Sequence, residues 1–323
     1  MKIRLLVIGV VIATLVVFYS FVLPKNAKSV KIGYALNNES HYGVSAARMR
    51  DELKNSLDLK LFPNSILGSE RVMIESLKLG TLDMAIVSTG ALQNFVPQVG
   101  VFDMPFLFRD LKHARNVLDN DIGQQMLNQI SHEGIVAMAW GEQGFRHLTN
   151  NKHPVRVFED AHGLKIRTTQ NAIHIRAFKS MGFSPAPMSW TEVPSAMSQG
   201  VIDGQENSIA VMLSEKVYQY QKHLSMTGHF YAPALILVSE HFYKSLDEEQ
   251  KTDLLKAAAA GAEQMRAFVD KMESDGLSKL KEEGMEVVED VDKESFAAHA
   301  RSDDPYYFKL FGEDLIKKIR ATP

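Results

Sequence analysis

The sequence predicts an α/β protein with a mostly parallel sheet, divided into two lobes. Short apolar or alternating stretches typical of strands recur along the chain, and stretches with helical periodicity separate them. Strands that alternate with helices indicate a parallel sheet covered by helices. The length of 323 residues, 45% of them apolar, favours about two domains.

A strand, a helix and a second strand open the predicted fold. Residues 30–36 are rich in β-branched side chains, LDLKLF at 57–62 alternates apolar and polar residues, and Ala46, Met49 and Leu53 recur at helical spacing between them. Further strands are predicted at 84–87, 135–140, 164–168 and 234–238, with helices at 111–118 and 173–181.

Gly and Asn cluster in GEQGFRHLTNN at 141–151, which predicts a break where the chain leaves the first lobe. A long helix is expected from Leu246, because Ser245 and Glu248 have the spacing of a capping box. Residues 305–320 are expected to form one last amphipathic helix.

Composition excludes several classes of protein. The net charge is −3 and no Lys/Arg block with interleaved aromatics occurs, so no nucleic-acid partner is expected. The chain has no cysteine, which excludes disulfides, thiolate metal sites and a Cys nucleophile.

The N-terminus carries an export signal, predicted over residues 1–28. Lys2 and Arg4 precede an apolar run at 5–23, and Lys25 and Lys28 restore polarity. The run is long for a cleaved signal and no clear cleavage site follows, so a signal peptide and a retained membrane anchor both remain open, with a buried core helix as a further alternative. In either case the rest of the chain is expected in the periplasm.

No sequence motif supports an enzyme. GxSxG, GxGxxG and the phosphate-binding GxxxxGK[ST] are absent, and the histidines lack a metal-type grouping. We therefore predict no catalytic residue, no metal and no cofactor, although a site assembled from distant residues remains an alternative.

Residues 144–180 are locally cationic, with seven Lys/Arg residues against Glu159 and Asp160. Such a run is commonly a solvated basic face. The alternative is that one or two of its arginines point inward at an anion.

Four sequence blocks resemble those of the solute-binding proteins of TRAP transporters, the tripartite ATP-independent periplasmic importers. The blocks are LFPNSILGSE (61–70) with GTLDMAIVS (80–88), VFDMPFLFRD (101–110), GFRHLTN (144–150) with HGLKIRT (162–168), and MSWTEVPSAMSQGVIDGQEN (188–207). The resemblance covers residues 31–281 and implies two α/β lobes with a ligand cleft between them and a long helix that spans both. It places 29–144 and 233–272 in the first lobe, and 145–232 and 273–323 in the second.

The resemblance also implies the residues that bind the ligand. Arg167 would form a paired salt bridge with a ligand carboxylate, for which a planar, permanently charged guanidinium is suited. Arg146 would lie near the same carboxylate and Asn207 would contact the ligand. The alternatives are an exposed strand arginine, a hinge arginine and an Asx turn in a loop, respectively. Glu206 is expected to order that loop.

Trp190 stands where the family usually has Phe, and its ring would pack on the ligand's carbon skeleton or within the core. Gln170 lies three residues after Arg167. Weaker candidates from the first lobe lie in loops after predicted strands, where α/β folds place ligand contacts, and they are Glu70, Ser88, Asn38 and His41.

The expected function is a monomeric periplasmic receptor that captures a small organic carboxylate by lobe closure and delivers it to the integral membrane subunits of a TRAP importer. A hexuronate or keto-sugar acid is the preferred ligand, and a C4-dicarboxylate is the alternative. An extracytoplasmic enzyme and an anchored sensor are the other classes considered.

Overall fold

Nine strands form one mixed sheet in the computed structural model, which describes residues 28–131 and 133–323. In chain order the strands are β1 (Lys28–Tyr34), β2 (Leu57–Phe62), β3 (Met84–Ser88), β4 (Ile135–Asn150), β5 (Lys165–Thr168), β6 (Ser184–Pro187), β7 (Gly204–Ser208), β8 (His223–Ser239) and β9 (Glu286–Val288). The strand order is β2-β1-β3-β8-β4-β7-β5-β6, with β9 paired to β8.

Helices cover the sheet, which confirms the predicted α/β class. In chain order they are α1 (His41–Leu53), α2 (Glu70–Leu79), α3 (Thr89–Leu92), α4 (Leu111–Asp119), α5 (Asp121–Ile130), α6 (Ala172–Ser180), α7 (Val193–Ser198), α8 (Ile209–Ser214), α9 (Glu240–Lys244), α10 (Glu248–Glu282), α11 (Lys293–Arg301), α12 (Asp304–Phe311) and α13 (Glu313–Ala321). Short 3-10 helices lie at Pro97–Asp103, Phe158–Ala161, Trp190–Glu192 and Val217–Gln219.

Two long antiparallel strands, β4 and β8, join the two lobes. One end of β8 pairs with β3, which continues into parallel β1 and β2, and the other end of β4 pairs with β7, which continues into parallel β5 and β6. The predicted break at 141–151 falls almost entirely within β4, so the chain passes towards the second lobe there through a continuous strand and not through a loop. Its Gly-rich composition instead marks a register shift between Glu142 and Gly144, where Gly144 adopts φ +99°.

The long helix α10 spans both lobes, as expected from the resemblance. Leu254 and Met265 pack in the core of the first lobe, and Met272 and Leu280 pack in a core cluster of the second. Gly261 allows the close approach of α1, since a Cβ there would lie 2.6 Å from Met49 Cγ.

The capping box of α10 lies two residues beyond the predicted one. Asp247 accepts from Gln250 N at 2.8 Å, and Gln250 Oε1 accepts from Asp247 N at 3.2 Å. Ser245 instead donates to Phe242 O, at the end of α9. The end of α9 and the start of α10 lie in the same short polar stretch, and residue spacing alone does not show which residue caps α10.

We expect Asp247→Ala to lower the free energy of unfolding by about 1 kcal/mol, because it leaves N-terminal amides of α10 without an acceptor. Urea unfolding of the variant measures this loss. Ser245→Ala is the control, and an equal or larger loss in that variant would place the cap at Ser245.

The last three helices pack on different lobes. Phe296 of α11 packs with residues of the second lobe, whereas Phe311 and Ile319, from α12 and α13, pack in the core cluster of α2, α4 and α5. Gly312, at φ +90°, interrupts the single tail helix that was predicted. The predicted lobe boundaries remain predictions, and these contacts favour moving 304–321 to the first lobe.

Within 28–131 and 133–323, no helix is both long enough and apolar enough to cross a membrane. The predicted signal peptide or anchor falls almost entirely on residues 1–27, which lie outside the described part of the chain.

Candidate ligand-binding cleft

A cleft between the lobes consists of two connected chambers. The first has about 490 Å³ of free space and the second about 370 Å³, each including its opening to solvent. Both chambers share a wall formed by Ala35, Glu70, Arg167, Thr169 and Trp190. Ala35 follows β1 and Thr169 follows β5, so the wall lies at the carboxyl ends of parallel strands from both lobes.

Arg167 is the buried cation of this wall. It lies on β5, whose neighbouring residues Leu164 and Ile166 pack in the core, and it is 4% exposed. Its Nε and Nη2 donate to Met188 O at 3.1 and 2.8 Å. Among the described residues no carboxylate lies within ion-pair distance of its guanidinium, so burial lowers the pKa of Arg167 to about 10. The group stays charged at neutral pH and retains donors for an anion.

Arg146 also faces the cleft but its charge is already neutralised. It is 3% exposed and forms a two-point ion pair with the carboxylate of Glu206, while Nη1 donates to Asn207 Oδ1 at 3.0 Å. Burial would raise the pKa of Glu206, but the attraction of Arg146 outweighs it and holds that pKa far below its usual range. Arg146 lines the second chamber as a paired residue, unlike Arg167.

Asn207 and Glu206 lie on strand β7 rather than in the predicted loop. The stretch DGQEN lacks the apolar alternation of a typical strand because β7 is buried between β4 and β5, where its polar side chains bond one another. Asn207 Nδ2 donates to Gln205 Oε1 at 3.4 Å and the residue lines the second chamber. Glu206 orders Arg146 rather than a loop.

Trp190 and Gln170 both line the cleft, and their contacts with a ligand remain predictions. Trp190 begins a 3-10 helix, is half-buried, lines both chambers and has its ring centre 5.7 Å from the Arg167 guanidinium carbon. Gln170 lines the first chamber, and its backbone oxygen accepts from Asn94 Nδ2 at 3.0 Å across the cleft.

Glu70 and Ser88 form a pair on the opposite wall. Ser88 N donates to Glu70 Oε1 and Ser88 Oγ donates to Oε2, both at 2.8 Å. Burial raises the pKa of Glu70, and its Ser88 hydrogen bonds lower it in part. Ser88 lines the second chamber and Glu70 lines both.

Asn38 and His41 line neither chamber, so the cleft gives no support to their predicted ligand contacts. Asn38 Oδ1 accepts from Tyr34 Oη at 2.7 Å and faces a separate surface hollow. His41 is fully buried at the start of α1, and burial lowers its pKa to about 3. Sequence position after a strand did not distinguish them from their neighbour Tyr42, which does line the second chamber.

Sequence reasoning missed Tyr42, Gln143 and Thr169. Gln143 Nε2 donates to Tyr42 Oη at 2.8 Å, and Gln143 Oε1 accepts from Arg146 Nη1 at 3.4 Å. Gln143 stands three residues before Arg146, which a regular strand would place on the opposite face, and the register shift between Glu142 and Gly144 changes that alternation. Thr169 directly follows β5 and lies closer in the chain to Arg167 than Gln170, which was selected for that closeness.

The bulge of β4, where the strand passes between the lobes, lies beside a carboxyl group with a raised pKa. Glu273 of α10 lies against the β4 bulge, where a Cβ on Gly144 would be 3.2 Å from its Oε1. Burial, with further contributions from Glu142 and Asp270, raises the pKa of Glu273 to about 7. The folded protein therefore holds this proton more tightly than the unfolded chain does, and stability is lost as the pH rises from about 4.5 through 7.

We expect Glu273→Gln to stabilise the protein more at pH 8.5 than at pH 5, because it removes a carboxylate that the fold disfavours only when ionised. Urea unfolding at the two pH values measures this difference. Glu263→Gln, an exposed site on the same helix, is the control. An equal effect of Glu273→Gln at both pH values would show that its carboxyl pKa is ordinary.

The fold and cleft define a two-lobed solute-binding protein. The chain belongs to the bacterial extracellular solute-binding proteins, family 7, whose DctP model matches residues 33–310. This confirms the resemblance to TRAP transporter solute-binding proteins, which are receptors and not enzymes. The family is extracytoplasmic.

Solved structures and curated relatives agree with this family. A TRAP periplasmic solute-binding protein from Bordetella bronchispeptica is 51% identical, with a TM-score of 0.89 over 92% of this chain and 99% of that one, and its ligand density was assigned to pantoate. One from Polaromonas sp JS666 bound to D-erythronate is 44% identical, with a TM-score of 0.90 over 91% and 99%. The 2,3-diketo-L-gulonate-binding periplasmic protein YiaO of Escherichia coli is 34% identical over 92% of this chain and 91% of its own.

Proposed function

We propose that this chain is the periplasmic receptor of a TRAP importer for a hydroxylated monocarboxylate of the sugar-acid class. The observation that carries the proposal is the contrast between the two cleft arginines. Arg167 is buried without a carboxylate partner among the described residues, whereas Arg146 is paired with Glu206. One carboxylate of a ligand would form an ion pair with Arg167 and neutralise its charge.

Among the described residues that line the two chambers, no unpaired buried cation is left for a second ligand carboxylate. The C4-dicarboxylate alternative requires a second clamp, for which Arg146 was the candidate, and Glu206 already occupies that guanidinium. Arg71 lines the first chamber but is exposed and pairs with Glu75 at 3.2 Å. An exposed arginine of this kind would offer a ligand carboxylate only a weak, solvent-screened interaction. These charges favour a ligand with one carboxylate.

The first chamber suits hydroxyl groups. Its walls carry several uncharged polar side chains, each able to donate or accept a hydrogen bond. They are Ser65, Ser69, Asn94, Thr169, Gln170, Ser189 and Thr191. The half-buried face of Trp190 supplies an apolar surface for the carbon skeleton. Hexuronates and keto-sugar acids share this chemistry with shorter hydroxy acids.

The ligands of related proteins support this class. Besides the D-erythronate and 2,3-diketo-L-gulonate proteins, a sugar acid binding protein from Advenella mimigardefordensis in complex with galactonate is 28% identical. A TRAP protein from Sulfurospirillum deleyianum with bound succinate is 30% identical, which keeps the dicarboxylate alternative among the outcomes to be tested.

Capture would occur by closure of the lobes over the ligand. Hydrogen bonds already cross between the lobes in this structure: Asn37 Nδ2 donates to Ser214 O at 2.6 Å, and Asn94 donates to Gln170 O. Ligand contacts to both walls would add to these only when the lobes are closed. The closed surface would then be recognised by the integral membrane subunits of the importer.

A thermal-shift screen tests the proposed ligand class. The purified protein is heated with D-erythronate, D-galactonate, D-glucuronate, succinate and an amino acid, each over a range of concentrations. The expected result is a raised melting temperature with at least one hydroxylated monocarboxylate, without turnover. Stabilisation by succinate alone would support the dicarboxylate alternative, and product formation would contradict the receptor function.

A further inference from the structure

We propose that Glu70 determines ligand specificity: its carboxylate accepts a hydrogen bond from a ligand hydroxyl and repels a second ligand carboxylate. This inference rests on the proposed function, and it deepens it by assigning the rejection of dicarboxylates to one side chain.

Two hydrogen bonds hold the Glu70 carboxylate in place. Ser88 donates to both of its oxygens, through N and Oγ, at 2.8 Å each. Each oxygen has further lone pairs, so these bonds orient the group without exhausting its acceptor capacity. The side chain is therefore fixed before a ligand arrives, and its binding costs little ordering entropy.

Glu70 lies on the wall common to both chambers, and so does Arg167. A ligand whose carboxylate reaches Arg167 therefore lies in a chamber that Glu70 also lines, whichever of the two its other end occupies. An ionised carboxylate only accepts hydrogen bonds. It matches the hydroxyl of a hydroxy acid, whereas a second carboxylate would face it as a like charge in a desolvated site.

Among the described residues no Lys or Arg forms an ion pair with Glu70, and its fixed partners are both from Ser88. The more distant charges of Arg167 and Arg146 lower the pKa of Glu70, and a ligand carboxylate bound to Arg167 would offset the first of them. In contrast, Glu206 has its charge balanced by Arg146 and lies fully buried behind the cleft. Of these two carboxylates, Glu70 is the one that presents negative charge to the ligand.

If Glu70 had a purely structural role, its removal would affect ligand affinities differently. Ser88 caps α3 by accepting from Ala91 N at 3.3 Å, and Glu70 could serve only to orient Ser88. In that case its removal would weaken all ligands alike. A specificity role requires opposite effects on hydroxy acids and dicarboxylates, so the ratio of their affinities separates the two.

The experiment is calorimetric titration of the wild type and Glu70→Gln with four-carbon acids: D-erythronate, butyrate and succinate. Gln keeps the size of the side chain and an oxygen that can accept from Ser88 N, but it replaces the negative charge with an amide that donates to a carboxylate. Glu263→Gln, an exposed site on α10, is the matched control. Melting curves without ligand check that each variant is folded.

We expect the wild type to prefer D-erythronate over succinate by on the order of 100-fold, and Glu70→Gln to reduce that ratio to below about 10-fold. Affinity for D-erythronate should fall and affinity for succinate should rise, with butyrate nearly unchanged. Glu263→Gln should match the wild type.

The outcomes distinguish this inference from the proposed function. If Glu70→Gln weakens both acids equally, or leaves their ratio unchanged, Glu70 is not a specificity residue although the hydroxy-acid receptor still stands. If the wild type prefers succinate, both the inference and the proposed ligand class are wrong. If D-galactonate or D-glucuronate binds in place of D-erythronate, the same ratio is measured with that acid against succinate, and the same two results decide it.

Discussion

Arg167→Met is expected to abolish ligand capture without weakening the free protein. The variant removes the one buried cleft cation that has no carboxylate partner among the described residues, so the ligand carboxylate would be left desolvated and unpaired. Truncation of such a partner costs about 2 to 5 kcal/mol of binding free energy. Calorimetric titration with the acid found in the screen measures the loss.

The melting temperature without ligand is the second readout for Arg167→Met. Because Arg167 is buried without an ion-pair partner among the described residues, and burial lowers its pKa to about 10, its replacement by an apolar side chain of similar length should leave stability unchanged or raise it. Wild-type affinity in the variant would exclude Arg167 from the site. A large fall in melting temperature would instead indicate that Arg167 is a structural residue.

Arg146→Met is expected to do the reverse and destabilise the free protein strongly. It leaves Glu206 buried at 0% exposure with no guanidinium, and breaking a buried pair in this way costs about 3 to 5 kcal/mol of the free energy of unfolding. Urea unfolding of the variant beside Arg167→Met measures the contrast between the two arginines.

The double variant Arg146→Met/Glu206→Leu is the control for this ion pair. Removing both charges together should restore most of the lost stability, since neither is then left unpaired.

The stability that this ion pair contributes should also depend on pH. Glu206 has a depressed pKa, so its contribution is full at neutral pH and is lost as the pH falls below the ordinary carboxyl range. If Arg146→Met alone were as stable as the wild type at pH 7, Arg146 and Glu206 would not form an ion pair in solution.

Most of the parallel strands in the two lobes, and the helices that cover them, could be predicted from the sequence because their residues show strong periodicity. It did not predict that β4 and β8 cross between lobes as long antiparallel strands. Periodicity identifies a strand but not its direction, and the Gly-rich composition near Gly144 indicates a bulge as readily as a chain break. β7 was missed for a related reason: its polar residues are satisfied by one another inside the sheet.

For the cleft, the resemblance led to Arg167, which the structure places on the shared wall. The ion pair between Arg146 and Glu206 could not be predicted from the sequence, because these residues come together only when β4 pairs with β7. The same limit explains Asn38 and His41. Both follow β1 in the chain, but which loop side chains turn into the cleft depends on packing against α10 and the second lobe, and Tyr42 was overlooked beside them.

A crystal structure of the wild-type protein with its tightest-binding hydroxy acid tests the central claim most directly. We expect the ligand carboxylate to lie within hydrogen-bond distance of the Arg167 guanidinium, with the Arg146–Glu206 pair intact. A ligand carboxylate bound to Arg146 in place of Glu206, or to Arg71 with Arg167 left unoccupied, would contradict the account.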